Sequence, residues 1–223
     1  MTVRILKLTG IAAWSIALCF AIWLMVRLSL PYTAMHNNID FLLTKQNVYH
    51  ITPWRYCFYA HVFTSVLVLP AGLTQFNHLW LQQFTKAHRL LGYVYVITVI
   101  FVAAPTGFVM GWYANGGWPA RASFILLSMA WFTSTLLAVI MVKRKNFVQH
   151  GIWMLRSYAL TLSAIMLRTY AFLFDVLHID MHPRTVYITI AWLSWVPNII
   201  IAEILIRHRF VTGFIPQSKI GII

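Results

Sequence analysis

The chain has 223 residues, of which 61% are hydrophobic and only 9% charged. Soluble domains carry about 25% charged residues, so composition excludes an ordinary soluble globule. The net charge of +13 raises nucleic acid as a partner. However, Lys and Arg stand at the ends of apolar runs rather than on one basic face, which marks membrane topology and no nucleic acid.

The mean hydropathy of +0.75 predicts a polytopic membrane protein of all-α class. No polar linker divides the pattern, so residues 1–223 read as one membrane domain. Cys19 and Cys57 lie in apolar runs without CxxC spacing, which points to neither a disulfide framework nor a zinc site.

The first apolar run covers about Ile5 to Leu30 behind Arg4 and Lys7. It is too long for the core of a signal peptide and lacks a small-residue cleavage site, so it reads as an uncleaved first span. The loop at 31–55 is the one long connection, polar and aromatic, with room for a short interfacial helix. Trp54 and Tyr56 suit a headgroup anchor. Its His36 and His50 read as solvated.

Five more spans follow, at about Tyr56–Phe76, His88–Trp112, Ala122–Val142, Val148–Phe174 and Thr185–Ile206. The second carries His61, with Ser65 and Gly72 on the same helical face and Pro70 as a bend. This stripe admits a close backbone or a flat ligand. The third opens on His88, with Gly92 one turn on and Tyr95 near i+7, and Pro105 should kink it. Gly116 and Gly117 make a tight turn before a fourth span with no histidine or charge. Its Ser128, Thr133, Ser134 and Thr135 suggest close packing.

The fifth span is the most informative. His150, Met154, Ser157, Thr161, Ala164 and Arg168 recur at helical spacing, polar or small except for Met154. Such a stripe belongs against other helices or a cavity, because cations in hydrocarbon are costly. Arg156 points off to one side. The sixth span supplies Pro197, Asn198 and Glu203, and Glu203 is expected to neutralise Arg156 with help from Asn198.

Arg4, Lys7, Lys86, Arg89, Lys143, Arg144, Lys145, Arg207, Arg209 and Lys219 would share one side. Only Arg27, Lys45, Arg55, Arg121 and Arg184 would lie on the other. By the positive-inside rule both termini are expected in the cytoplasm and loop 31–55 outside.

His88 and His150 then begin parallel spans at the same depth. Two such histidines can serve as axial ligands to haem b, with Gly92 leaving room for the porphyrin and Arg89 or Arg156 for its propionates. His61 lies toward the other surface, where it suits a quinone or a second haem. His178 or His182 would then supply the missing ligand. No GxSxG, HExxH, P-loop or dinucleotide fingerprint occurs. Two other readings remain open: a transporter or small-molecule-binding protein with a polar cavity along the fifth span, and a non-catalytic subunit of a membrane complex. A membrane electron-transfer partner or a second copy of the chain would be the natural associates.

The segments AHVFTSVLVLPAGLTQF, KAHRLLGYVYVI, QHGIWMLRSYALTLSAIMLRTYAF and WVPNIIIAE, in this order, resemble a bacterial family of predicted membrane proteins, domain of unknown function 2306. The likeness covers about Tyr56 to Glu203, within a core of 56–206. It implies an integral protein of the bacterial inner membrane. It also marks His61, His88, His150, Arg156, Ser157, Tyr158, Arg168, Asn198 and Glu203 as pattern positions, without an activity. A looser similarity is to six-helix cytochromes of the b561 type, with histidines on their middle four helices. The fourth span here departs from that layout.

Overall fold

The computed structural model describes residues 2–73, 84–178 and 180–211, with side chains from residue 15 onward. The described residues are predominantly helical and contain no strand. The segments Ser15–Ala34, Thr85–Trp112, Trp118–Lys143, Phe147–Val176 and Pro183–Arg207 are long and apolar enough to cross a membrane. Five segments therefore qualify where six were expected. The expected second span appears as a 22-residue helix, α3 (Thr52–Leu73), which is not one of the five. His78, expected from its place at the inner surface to be a solvated histidine, lies outside the described residues.

Helix α1 (Thr2–Ser29) runs along α3. Loop 31–55 folds back over the end of α3 as two 3-10 turns, Leu30–Ala34 and Asp40–Lys45, followed by a single turn, α2 (Gln46–Tyr49). It is packed rather than merely solvated. Tyr32, Leu42, Trp54, Phe58, Tyr59 and Val62 bury one another in an aromatic cluster. Trp54 stacks on Phe58 with ring centres 5.6 Å apart inside this cluster, while Tyr56 is exposed.

Three of the spanning segments are interrupted, two of them beside a proline. Between α4 (Thr85–Thr98) and α5 (Ala104–Trp112) lies a π-helical turn, Val99–Ala103, immediately before Pro105. A π-turn inserts a residue into the helical ladder, and proline withholds the N–H that would continue it. Gly116 and Gly117, both at positive φ, then turn the chain into α6 (Trp118–Lys143). The segment Phe147–Val176 divides at Leu162 into α7 (Phe147–Thr161) and α8 (Ser163–Val176). The segment Pro183–Arg207 divides at Ser194 and Trp195 into α9 (Pro183–Leu193) and α10 (Val196–Arg207), where Pro197 restricts the residue before it.

The core sits where α3, α4, α6 and α7 meet. Val68, Tyr95, Val99, Ala103, Ala138, Met154, Tyr158 and Leu160 are buried there. Helices α6 and α7 share the longest interface, and α10 packs against α7. Large apolar side chains stand on the outer faces, including Phe101 at 73% exposure and Ile16 at 70%. A soluble protein rarely exposes apolar surface so continuously, whereas lipid solvates it well.

Candidate functional site

The expected stripe on the fifth span holds over its first half. Met154, Ser157 and Thr161 are buried, and His150 is half-buried. Beyond the interruption at Leu162, Arg168 is half-buried on α8.

The middle of the stripe is a closed hydroxyl network. Tyr95 Oη lies 2.7 Å from Ser157 Oγ and 2.8 Å from Thr161 Oγ1. Ser157 Oγ lies 2.7 Å from Thr135 Oγ1. Two hydroxyls give their protons to main chain: Thr135 donates to the Trp131 carbonyl and Thr161 to the Ser157 carbonyl. The Ser157 proton is left for Thr135, and the Tyr95 proton for Ser157 or Thr161. Trp131 Nε1 donates weakly to Tyr95 at 3.5 Å. Tyr95, Ser157 and Thr135 are fully buried, so these groups satisfy one another rather than lining open space. Tyr158 completes the packing. Its hydroxyl donates to the Leu69 carbonyl at 3.2 Å. A Cβ added at Gly72 would lie 2.3 Å from the Tyr158 ring. The gap expected over Gly72 thus holds an aromatic side chain of the chain itself.

Arg156 and Glu203 meet as expected. Arg156 Nε donates to Oε1 at 2.6 Å and Nη2 to Oε2 at 3.1 Å, a bidentate pair. The guanidinium also lies over Trp153, 4.4 Å from its centroid. Asn198 makes its contacts elsewhere, donating to the Ala159 and Ser194 carbonyls at 3.2 and 3.0 Å. It bridges the interruption between α9 and α10 rather than assisting the ion pair.

His88 and His150 each occupy the first turn of a helix, α4 and α7, at the same end of the bundle. The two imidazoles are near enough for a charge on one to bear on the other. His150 Nδ1 lies 2.9 Å from the Ala138 carbonyl. A carbonyl only accepts, so Nδ1 carries the proton and Nε2 keeps its lone pair. His88 Nδ1 is buried without a hydrogen-bond partner among the described residues. Buried ring nitrogens normally have one, so this orphan marks a group with a bond to give. Gly92 stands half-buried one turn along α4.

At the opposite end, His61 Nδ1 lies 2.9 Å from the Ala103 carbonyl and 3.3 Å from Thr106 Oγ1. Here too Nε2 is the free acceptor. Gly107 makes room for the ring, since a Cβ there would sit 3.1 Å from His61 Cε1. Arg168 is close enough to act electrostatically on both His61 and Tyr32. Its Nη1 donates to the Ala164 carbonyl at 3.1 Å, one turn back on α8. His182 Nδ1 accepts from the Arg184 amide as the cap of α9, and His178 ends α8 at positive φ. Neither contact involves His61.

Sequence reasoning named Tyr95 and Thr135 but not their union, and it passed over Trp131. It missed a second cluster entirely. Lys45, from the long loop, is 3% exposed and donates to the Tyr113 carbonyl at 2.6 Å and to Asn115 Oδ1 at 2.8 Å. Burial, and secondarily the Arg121 charge, pull this ammonium down from its ordinary range to about 8. No spacing pattern links residues 45 and 121. The available signal was a lysine in a loop otherwise rich in aromatic side chains.

These features define a helical integral membrane protein with polar groups held inside its bundle. The chain belongs to the family described as predicted membrane protein, DUF2306, which matches residues 58–206. No curated protein and no solved structure matches it.

Proposed function

We propose that this is a six-span protein of the bacterial inner membrane, with both termini cytoplasmic, that binds one haem b between His88 and His150 and works as a redox carrier. In this reading α3 is the sixth crossing. Its 22 residues reach about 33 Å at 1.5 Å per residue, enough for the hydrocarbon layer.

One observation carries the proposal: a buried, partnerless nitrogen on His88 beside a His150 whose Nε2 lone pair is free. Two imidazoles suit a metal that brings its other ligands with it. A bare zinc ion wants four protein ligands. Among the described residues no third His, Cys, Asp or Glu stands grouped with this pair. Bound haem would supply a one-electron iron couple. The chain's own part is to fix ring orientation, which the Ala138 carbonyl does for His150, and to keep water from the ligands. Gly92 would leave space beside His88, and Arg89 is available to a propionate.

A quinone is the redox partner that best suits the opposite end. His61 Nε2 can accept a hydroquinone proton, and Arg168 can donate to a quinone carbonyl oxygen. Transport along the fifth span has less support, because Ser157 and Thr161 spend their hydrogen bonds within the network.

The test is haem content. Protein extracted from bacterial membranes should yield close to one haem b per chain by pyridine haemochrome. Protein expressed with ample haem supply that yields none would overturn the reading.

A further inference from the structure

Two cations lie together at the end of the bundle away from the histidine pair. The turn between α5 and α6 brings them together: Lys45 donates to Tyr113 and Asn115 within it, and Arg121 follows in the first turns of α6. Both partners of Lys45 are neutral, and its ammonium also faces the Phe41 ring, 5.5 Å from the centroid. Arg121 Nε is buried with no partner, and its guanidinium makes no side-chain hydrogen bond among the described residues. Arg184 adds a third, exposed cation, donating to the Gly116 carbonyl at 3.1 Å. The ion pair among the described residues is Arg156 with Glu203, on other helices, and Asp40 is exposed.

A buried ammonium beside a half-buried guanidinium raises the free energy of a fold unless a counter-charge is supplied. The surroundings indicate where it comes from. Trp112 and Trp118 flank the same turn, 49% and 66% exposed, with ring centres 6.0 Å apart in an edge-on arrangement. Exposed tryptophans at the end of a membrane helix sit at headgroup level. A phosphate at that depth can accept from the third Lys45 N–H and from the Arg121 fork, contacts of the strong, charge-assisted kind.

We propose that Lys45 and Arg121, beside the Trp112–Trp118 pair, form a binding site for the phosphate of an anionic phospholipid.

The full chain, purified in detergent, is titrated with phosphatidylglycerol, phosphatidylcholine or inorganic phosphate while its Tm is followed. Phosphatidylglycerol should raise Tm, and phosphatidylcholine should do so far less. Arg121→Gln should weaken the phosphatidylglycerol response about tenfold, the effect of one charge-assisted contact. Its Tm without added lipid should be at or above wild type, because Nε has no protein partner to lose and a like charge beside Lys45 is removed. Arg89→Gln, at the other end, should respond as wild type does. An Arg121→Gln protein with the full phosphatidylglycerol response would overturn the site. An equal response to phosphatidylcholine, or to inorganic phosphate alone, would overturn the anionic lipid as its occupant.

Discussion

The hydroxyl network around Tyr95 and the pair His88–His150 share helices α4 and α7, with Thr135 joining the network from α6, yet they stand in opposite conditions. In the network every proton has a destination inside the protein. At the histidine end one buried nitrogen has no partner and another keeps its lone pair. Polar groups in a membrane bundle can serve the fold or a ligand, and the difference lies in whether their bonds are already spent. The same test separates Arg156, matched to Glu203, from Arg121, matched to nothing among the described residues.

The largest expected effect falls on the histidines. His88→Ala or His150→Ala should each abolish most haem binding, read as haem per chain, while the helical circular dichroism persists. Tyr95→Phe should do the reverse. It removes the hub of a satisfied network and should lower stability by about 2 kcal/mol with haem content unchanged. If Tyr95→Phe lost haem as fully as His88→Ala, the division between structural and ligand-binding groups would fail.

Glu203→Gln sharpens the contrast between paired and unpaired cations. The pair is partly exposed, so its loss should lower stability by only about 1 kcal/mol. Thermal unfolding of this variant beside Arg207→Gln would isolate the pair. The smallest effect is a pH dependence at Lys45. Its folded pKa of about 8 lies below its ordinary 10.5. Between those values the unfolded chain holds a proton that the folded chain has released, so stability should rise with pH across that window. Below about 8 this group contributes no slope. Lys45→Met should flatten the rise relative to wild type in matched unfolding curves.

How much of this could be read beforehand follows from what is local. Helical spacing revealed the buried face from Met154 to Thr161, and the scarcity of carboxylates pointed Arg156 to Glu203. Proline positions marked the interruptions near Pro105 and Pro197. The break at Leu162 carries no glycine or proline, so no local signal announced it. Tyr158 filling the gap at Gly72, Asn198 turning to Ala159, and Lys45 reaching the 113–117 turn all depend on which helices become neighbours. Periodicity within one helix does not encode that.

The electron paramagnetic resonance spectrum of the oxidised, purified protein addresses the central claim most directly. Two imidazoles on one iron give a low-spin signal, and the account predicts that signal with an intensity near one spin per chain. A haem-loaded protein showing only a high-spin, five-coordinate signal would contradict the shared-ligand assignment for His88 and His150.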